Sequence, residues 1–170
     1  MLHKFCEDIL REISYFLDNK SKVRLYQTSR RAIGDGSFLI LCYIKTINEI
    51  EGKLLTDKIL KSNIFTKIEI LNVRSNPKIK SINHLKDSLI QLDISYHCSV
   101  DQEGFQDCNK IQILNANYNS KVTSTNHLRD SLIQLDISGI CGVDQKGFED
   151  CNKIQILNAR NNTKVTFSQK

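Results

Sequence analysis

Apolar and polar positions recur along this chain with a period of 43 residues: Lys67-Ile-Glu-Ile-Leu-Asn is followed by Lys110-Ile-Gln-Ile-Leu-Asn and Lys153-Ile-Gln-Ile-Leu-Asn. Each block divides again, because Leu89-Ile-Gln-Leu92-Asp-Ile94-Ser repeats the spacing of Ile68-Glu-Ile-Leu71-Asn-Val73-Arg. Units therefore open near residues 68, 89, 111, 132 and 154, in steps of 21 and 22 residues. Each opening predicts a short strand whose first, fourth and sixth positions face a core and whose third, fifth and seventh face outward. The core set is Ile68/Leu71/Val73, Leu89/Leu92/Ile94, Ile111/Leu114/Ala116, Leu132/Leu135/Ile137 and Ile154/Leu157/Ala159. Further along, Ile79, Val100, Val122, Val143 and Val165 recur in step, and on the return side so do Leu85, Phe105, Leu128 and Phe148. Self-similarity of this kind predicts a stack in which each unit buries its apolar edge against its neighbours.

Ahead of residue 43 the spacing turns helical. Phe5, Ile9, Leu10, Ile13, Phe16 and Leu17 share one face, Asp18 to Ser21 form a polar break, and Val23, Leu25 and Tyr26 begin a second amphipathic stretch. Residues 43–66 carry Leu55-Thr-Asp57, similar to the turns of the later units, and read as a degenerate capping unit.

Composition fits an aliphatic stack. The chain has 170 residues, 40% of them hydrophobic, with aromatics at 7% and no Trp, and its single Pro and 7 Gly leave no linker. The longest apolar run, Phe38 to Ile44, falls well short of the ~20 residues of a membrane helix. The first residues have no secretory core. The expectation is an intracellular protein, cytoplasmic or nuclear, with no membrane partner. The net charge of +5 is spread over the length and not interleaved with aromatics, so nucleic acid is not an expected partner.

Of the 6 Cys, Cys98 matches Cys141 and Cys108 matches Cys151 in the repeat, and no C-x-x-C occurs. Equivalent positions are filled for the same packing reason, which predicts reduced, buried thiols and no metal. His84 and His127 are likewise equivalent and read as turn residues, since neither has a visible nucleophile to serve. No cofactor motif is present: Gly34-Asp-Gly36-Ser lacks the remainder of a phosphate loop. An enzyme is not expected.

The unit length and the apolar-x-x-apolar-x-apolar opening match leucine-rich repeats. Leu89 to Cys108, with Cys98, Val100, Gly104 and Phe105, and then Leu132 to Cys151, with Gly147 and Phe148, resemble the cysteine-containing class of that family. Asn76, Asn119 and Asn162 stand at the ordinary Asn position of the alternating units. The segment Phe5-Cys-Glu-Asp-Ile-Leu10 through Leu17-Asp to Val23-Arg-Leu25 and Ser29-Arg-Arg31 resembles an F-box over its first two helices, with Cys6 where Pro is usual. The expected fold is thus α/β: a leucine-rich-repeat solenoid with parallel strands over 67–170, a capping unit at 43–66, and a small all-α F-box-like domain at 1–42.

That resemblance implies a non-catalytic substrate-recognition subunit of a Skp–cullin–F-box ubiquitin ligase, in the ubiquitin-conjugation pathway. Its partners are then a Skp-type adaptor with its cullin complex and a protein target. Carried over by position, Phe5, Cys6, Ile9, Leu10, Ile13 and Val23 are the adaptor-binding candidates. The target-binding candidates lie on outward strand positions. The fifth position gives the row Asn72, Asp93, Asn115, Asp136 and Asn158, in which amides can donate to neighbouring carboxylates. Flanking it are Ile70, Gln91, Ile113, Gln134 and Ile156 on one side, with Arg74, Ser95, Asn117, Ser138 and Arg160 on the other. Two alternatives stay open: the row is also what duplication of a solvated surface leaves behind, and the chain could be a repeat scaffold whose helical start is only a cap and which has no ubiquitin-ligase role.

Overall fold

The computed structural model describes residues 18, 19, 21, 44–61 and 65–166. The helical domain expected at 1–42, with Phe5, Cys6, Ile9, Leu10, Ile13 and Val23, lies outside the described residues except for Asp18, Asn19 and Ser21.

The described chain is mixed α/β, with few helices and one parallel sheet. Its strands are β1 (Thr46–Ile47), β2 (Ile70–Asn72), β3 (Gln91–Asp93), β4 (Ile113–Asn115), β5 (Gln134–Asp136) and β6 (Ile156–Asn158), laid side by side in sequence order. Two short helices, α1 (Glu49–Leu54) and α2 (Asp57–Leu60), follow β1, whereas the later connections contain only 3-10 turns at Asn83–Leu85, Asn126–Leu128 and Lys146–Phe148. Strands of this length have little stability singly; each is held by its neighbours.

The register aligns equivalent positions of the sequence period: Leu71↔Leu92, Leu92↔Leu114, Leu114↔Leu135 and Leu135↔Leu157 pair in file. This register matters because a shift by one residue would turn every apolar side chain to the opposite face. β1 enters the same file through Ile47↔Leu71, which sets Ile44 as the opening apolar residue of the first unit. Ile44 and Ile47 are buried. Gly52 of α1 lies so close to β2 that a Cβ there would stand 1.7 Å from the Asn72 carbonyl oxygen, so only glycine lets this helix settle against the sheet.

The first, fourth and sixth positions of the units opening at 68, 89, 111 and 132 are all buried, together with Ile79, Val100, Val122 and Val143. The unit opening at 154 differs. Ile154 and Leu157 are only partly buried, as is Phe148 just before it, because no further strand covers them among the described residues.

Strands β2 to β6 end in the same way, whereas β1 runs directly into α1. Ser75, Tyr96, Tyr118, Gly139 and Asn161, all at the eighth position of their units, have positive φ between 54° and 68°. A single left-handed residue reverses the chain out of the strand and into the return segment. For a residue with a Cβ this conformation costs roughly 1–2 kcal/mol. In the first four it is offset by pairing, since the N–H donates to the next unit: Ser75 to Ser95 O, Tyr96 to Asn117 O, Tyr118 to Ser138 O and Gly139 to Arg160 O, at 2.7–3.1 Å.

Candidate binding face

The sheet places the target-binding candidates side by side. Ile70, Gln91, Ile113, Gln134 and Ile156 form one row across the strands, and Asn72, Asp93, Asn115, Asp136 and Asn158 form the next. In the second row the side chains have a structural task. One oxygen of each accepts the backbone N–H two residues on: Arg74 to Asn72, Ser95 to Asp93, Asn117 to Asn115, Ser138 to Asp136 and Arg160 to Asn158, at 2.9–3.2 Å. This bond steers the strand into its left-handed exit. The second carboxylate oxygen takes an amide from the following unit, Asn115 to Asp93 at 3.1 Å and Asn158 to Asp136 at 2.9 Å. The carboxylates are therefore committed within the sheet, and the alternation of Asn with Asp works as a ladder of donors and acceptors.

The seventh position departs from the expectation of an outward row. Arg74 and Asn117 are half-buried and Arg160 is exposed, but Ser95 and Ser138 are buried. The strand is already leaving the pleat here, so alternation no longer decides the side a residue faces. Ser138 Oγ donates to Asp136 at 2.7 Å. Ser95 Oγ and the side-chain oxygen of Asn117 are buried without a hydrogen-bond partner.

Beside this row stands a column that the periodic reading missed. The guanidinium of Arg74 lies 4.0 Å from the ring centroid of Tyr96, and the Tyr96 and Tyr118 rings stack at 5.3 Å with an 18° interplanar angle. The Tyr118 ring continues onto Gly139, where a Cβ would come within 2.6–2.8 Å of ring atoms. Tyr96 and Tyr118 occupy left-handed positions in adjacent units, which is why their rings emerge in line. The available signal was their shared place in the period; their residue type gives none.

The alternating Ile and Gln row and this column supply the open surface of the face. Ile70 is 37% exposed, Ile156 56% and Tyr118 42%, while Ile113 is half-buried. The row alternates Ile with Gln and is bordered by an arginine–aromatic column, and aromatic and Arg side chains are residue types that commonly anchor interfaces.

Other polar side chains tie units together. Asn83 donates to Glu103 O at 2.8 Å and accepts from Asp107 N at 3.1 Å, and Asn126 does the same with Lys146 O and Asp150 N. His84 Nε2 lies 3.2 Å from Leu60 O, and His127 packs edge-on against Phe105. Burial holds both imidazoles below their ordinary pKa.

Cys98, Cys108, Cys141 and Cys151 are free and buried. Burial pushes the Cys108 thiol up to about 12 and raises the other three, so all four are neutral near pH 7. Nucleophilic chemistry needs the opposite shift. Among the described residues no three His, Cys, Asp or Glu side chains gather as metal ligands, and no helix is long and apolar enough to cross a membrane. Comparison with protein-family models gave no match, and comparison with curated proteins gave none either.

Proposed function

We propose that the chain is a leucine-rich-repeat solenoid whose sheet face binds a protein target and whose first 42 residues form an F-box-like domain. In this reading it is a non-catalytic substrate receptor of a Skp–cullin–F-box ubiquitin ligase. The observation that carries the repeat reading is the sequential parallel sheet, in which residues of equal place in the period pair in register. Asn76, Asn119 and Asn162 add to it, each donating two hydrogen bonds to carbonyls of the preceding unit. The receptor role rests on the sequence resemblance of Phe5 to Arg31.

Such a protein acts by proximity. One end grips the adaptor and the face holds the target, which raises the effective concentration of target lysines at the ubiquitin-charged enzyme. Co-purification of the full chain with a Skp-type adaptor is the test. Binding that is lost in Ile9→Asp and Leu10→Asp supports the receptor. If the adaptor does not bind, while Tyr118→Ala and Ile113→Glu still abolish capture of a cellular partner, the protein is a repeat scaffold without a ligase role.

A further inference from the structure

The outer edge of β6 repeats in sequence an edge of β4 that is paired inside the sheet. In a parallel ladder alternate residues serve opposite edges. β6 turns Ile156 and Asn158 toward β5, with the Ile156 N–H on Ile133 O and the Ile137 N–H on Asn158 O. The Gln155 carbonyl and the Leu157 and Ala159 amides therefore face away from β5. In β4 the equivalent Gln112 O accepts from Ile133 N and Gln134 N, and Ala116 N donates to Asp136 O at 2.8 Å. The Lys153-Ile-Gln-Ile-Leu-Asn-Ala segment that ends at Ala159 matches Lys110-Ile-Gln-Ile-Leu-Asn-Ala residue for residue. The same edge is thus covered by a strand at one place in the molecule and open at another among the described residues.

The side chains agree. Ile111 and Leu114 are 0% and 1% exposed, whereas Ile154 and Leu157 are only partly buried. Within the strand itself residues 154–159 carry no charge, no Pro and no Gly, the devices by which proteins usually block edge pairing.

The geometry points to a second copy of this chain as the occupant, paired β6 to β6 across a two-fold axis at Leu157. A two-fold axis makes the pairing antiparallel, and it presents the same residues from both sides. In that register Leu157 faces Leu157 of the second copy, and each Ala159 N–H meets the opposite Gln155 carbonyl. The outward groups of the edge are then satisfied reciprocally. Charge permits this register: Lys153 stands opposite Asn161, and Arg160 opposite Ile154, so no like charges meet. The first edge of the sheet offers no equivalent seat, because the Thr46 carbonyl of β1 already accepts from Asn19 Nδ2 at 2.8 Å.

The test is sedimentation of the full chain from low to high micromolar concentration, together with residue-resolved amide exchange. The expected result is a reversible dimer in which the Leu157 and Ala159 amides become at least tenfold more protected as concentration rises, while the Ile156 amide is protected throughout. Ile156→Lys, at an exposed position, should weaken the dimer tenfold or more and leave the monomer folded. Three results overturn the proposal: a monomer at every concentration, a dimer in which the two amides stay unprotected, or saturable binding of a peptide spanning residues 128–151 to a monomeric chain. The last would assign the edge to a parallel strand from another protein.

Discussion

Two kinds of unit alternate in this molecule, and they close the same turn with different chemistry. The units opening at 68, 111 and 154 place Asn76, Asn119 and Asn162 inside the turn. Each amide donates to two carbonyls of the unit before, and each side-chain oxygen accepts the N–H two residues on, from Lys78, Lys121 and Lys164 at 2.7–3.1 Å. The units opening at 89 and 132 place Cys98 and Cys141 there, one residue later, and leave the polar work to backbone: Ser99 N donates to Asn76 O at 2.9 Å and Gly142 N to Asn119 O at 3.2 Å. An Asn side chain organises its predecessor, whereas a Cys side chain fills space between two Asn turns. Stability should therefore be concentrated in the Asn units, although both kinds of unit contribute to the apolar core.

The sharpest way to break this comparison is to truncate both kinds of residue. Asn119→Ala strands the Ile94 and Val100 carbonyls and the Lys121 amide, and with buried unsatisfied groups at about 1–3 kcal/mol each it should lose roughly 3 kcal/mol or more. Cys98→Ala removes one buried sulfur and should lose about 1 kcal/mol. Denaturant titration of the two variants decides the matter; equal losses would refute the division of labour.

A second measurement concerns the reversal that both kinds of unit share. Gly139→Ala puts a Cβ on a left-handed residue and against the Tyr118 ring, and should lose about 2 kcal/mol. In a Tyr118→Ala background the steric part disappears and only the backbone part remains. A double-mutant cycle reads the difference, and a coupling near zero would mean that the ring does not depend on Gly139 for its place.

The smallest expected effect is an alkaline one and belongs to the Cys units. The Cys108 thiol donates to Ile82 O at 3.5 Å, and burial raises its pKa from 9.0 to about 12. The folded state thus holds this proton more tightly than the unfolded chain does. The contribution is complete below pH 9 and is lost as pH rises from 9 toward 12, about 1 kcal/mol of it by pH 10. Comparing the wild type with Cys108→Ala between pH 8 and 10 isolates this term from the titration of Lys and Tyr; parallel pH profiles would show that the thiol does not contribute.

Much of the fold could be read from residue order because its constraint is local and repeated. Leu71, Leu92, Leu114 and Leu135 sit at one place in a short period, and any arrangement that buries one of them buries all. The Asn–Asp row was legible for the same reason. Its role in bonding the strand exits was not, since that depends on the direction in which the chain leaves the sheet. The register of the first unit was obscured as well: Ile44 and Ile47 keep the spacing, but Glu49 stands where a sixth apolar residue belongs, at the start of α1.

Sequence by itself determined the period, the apolar file and the alternation of Asn with Cys, because each follows from side-chain character counted along the chain. Tertiary structure alone decided that Ser95 and Ser138 turn inward, that Ser75, Tyr96 and Tyr118 adopt a left-handed backbone their residue types disfavour, and that Arg74, Tyr96, Tyr118 and Gly139 form one column. Those outcomes depend on distances between units, and a neighbouring strand about 5 Å away can outweigh a local preference of 1–2 kcal/mol.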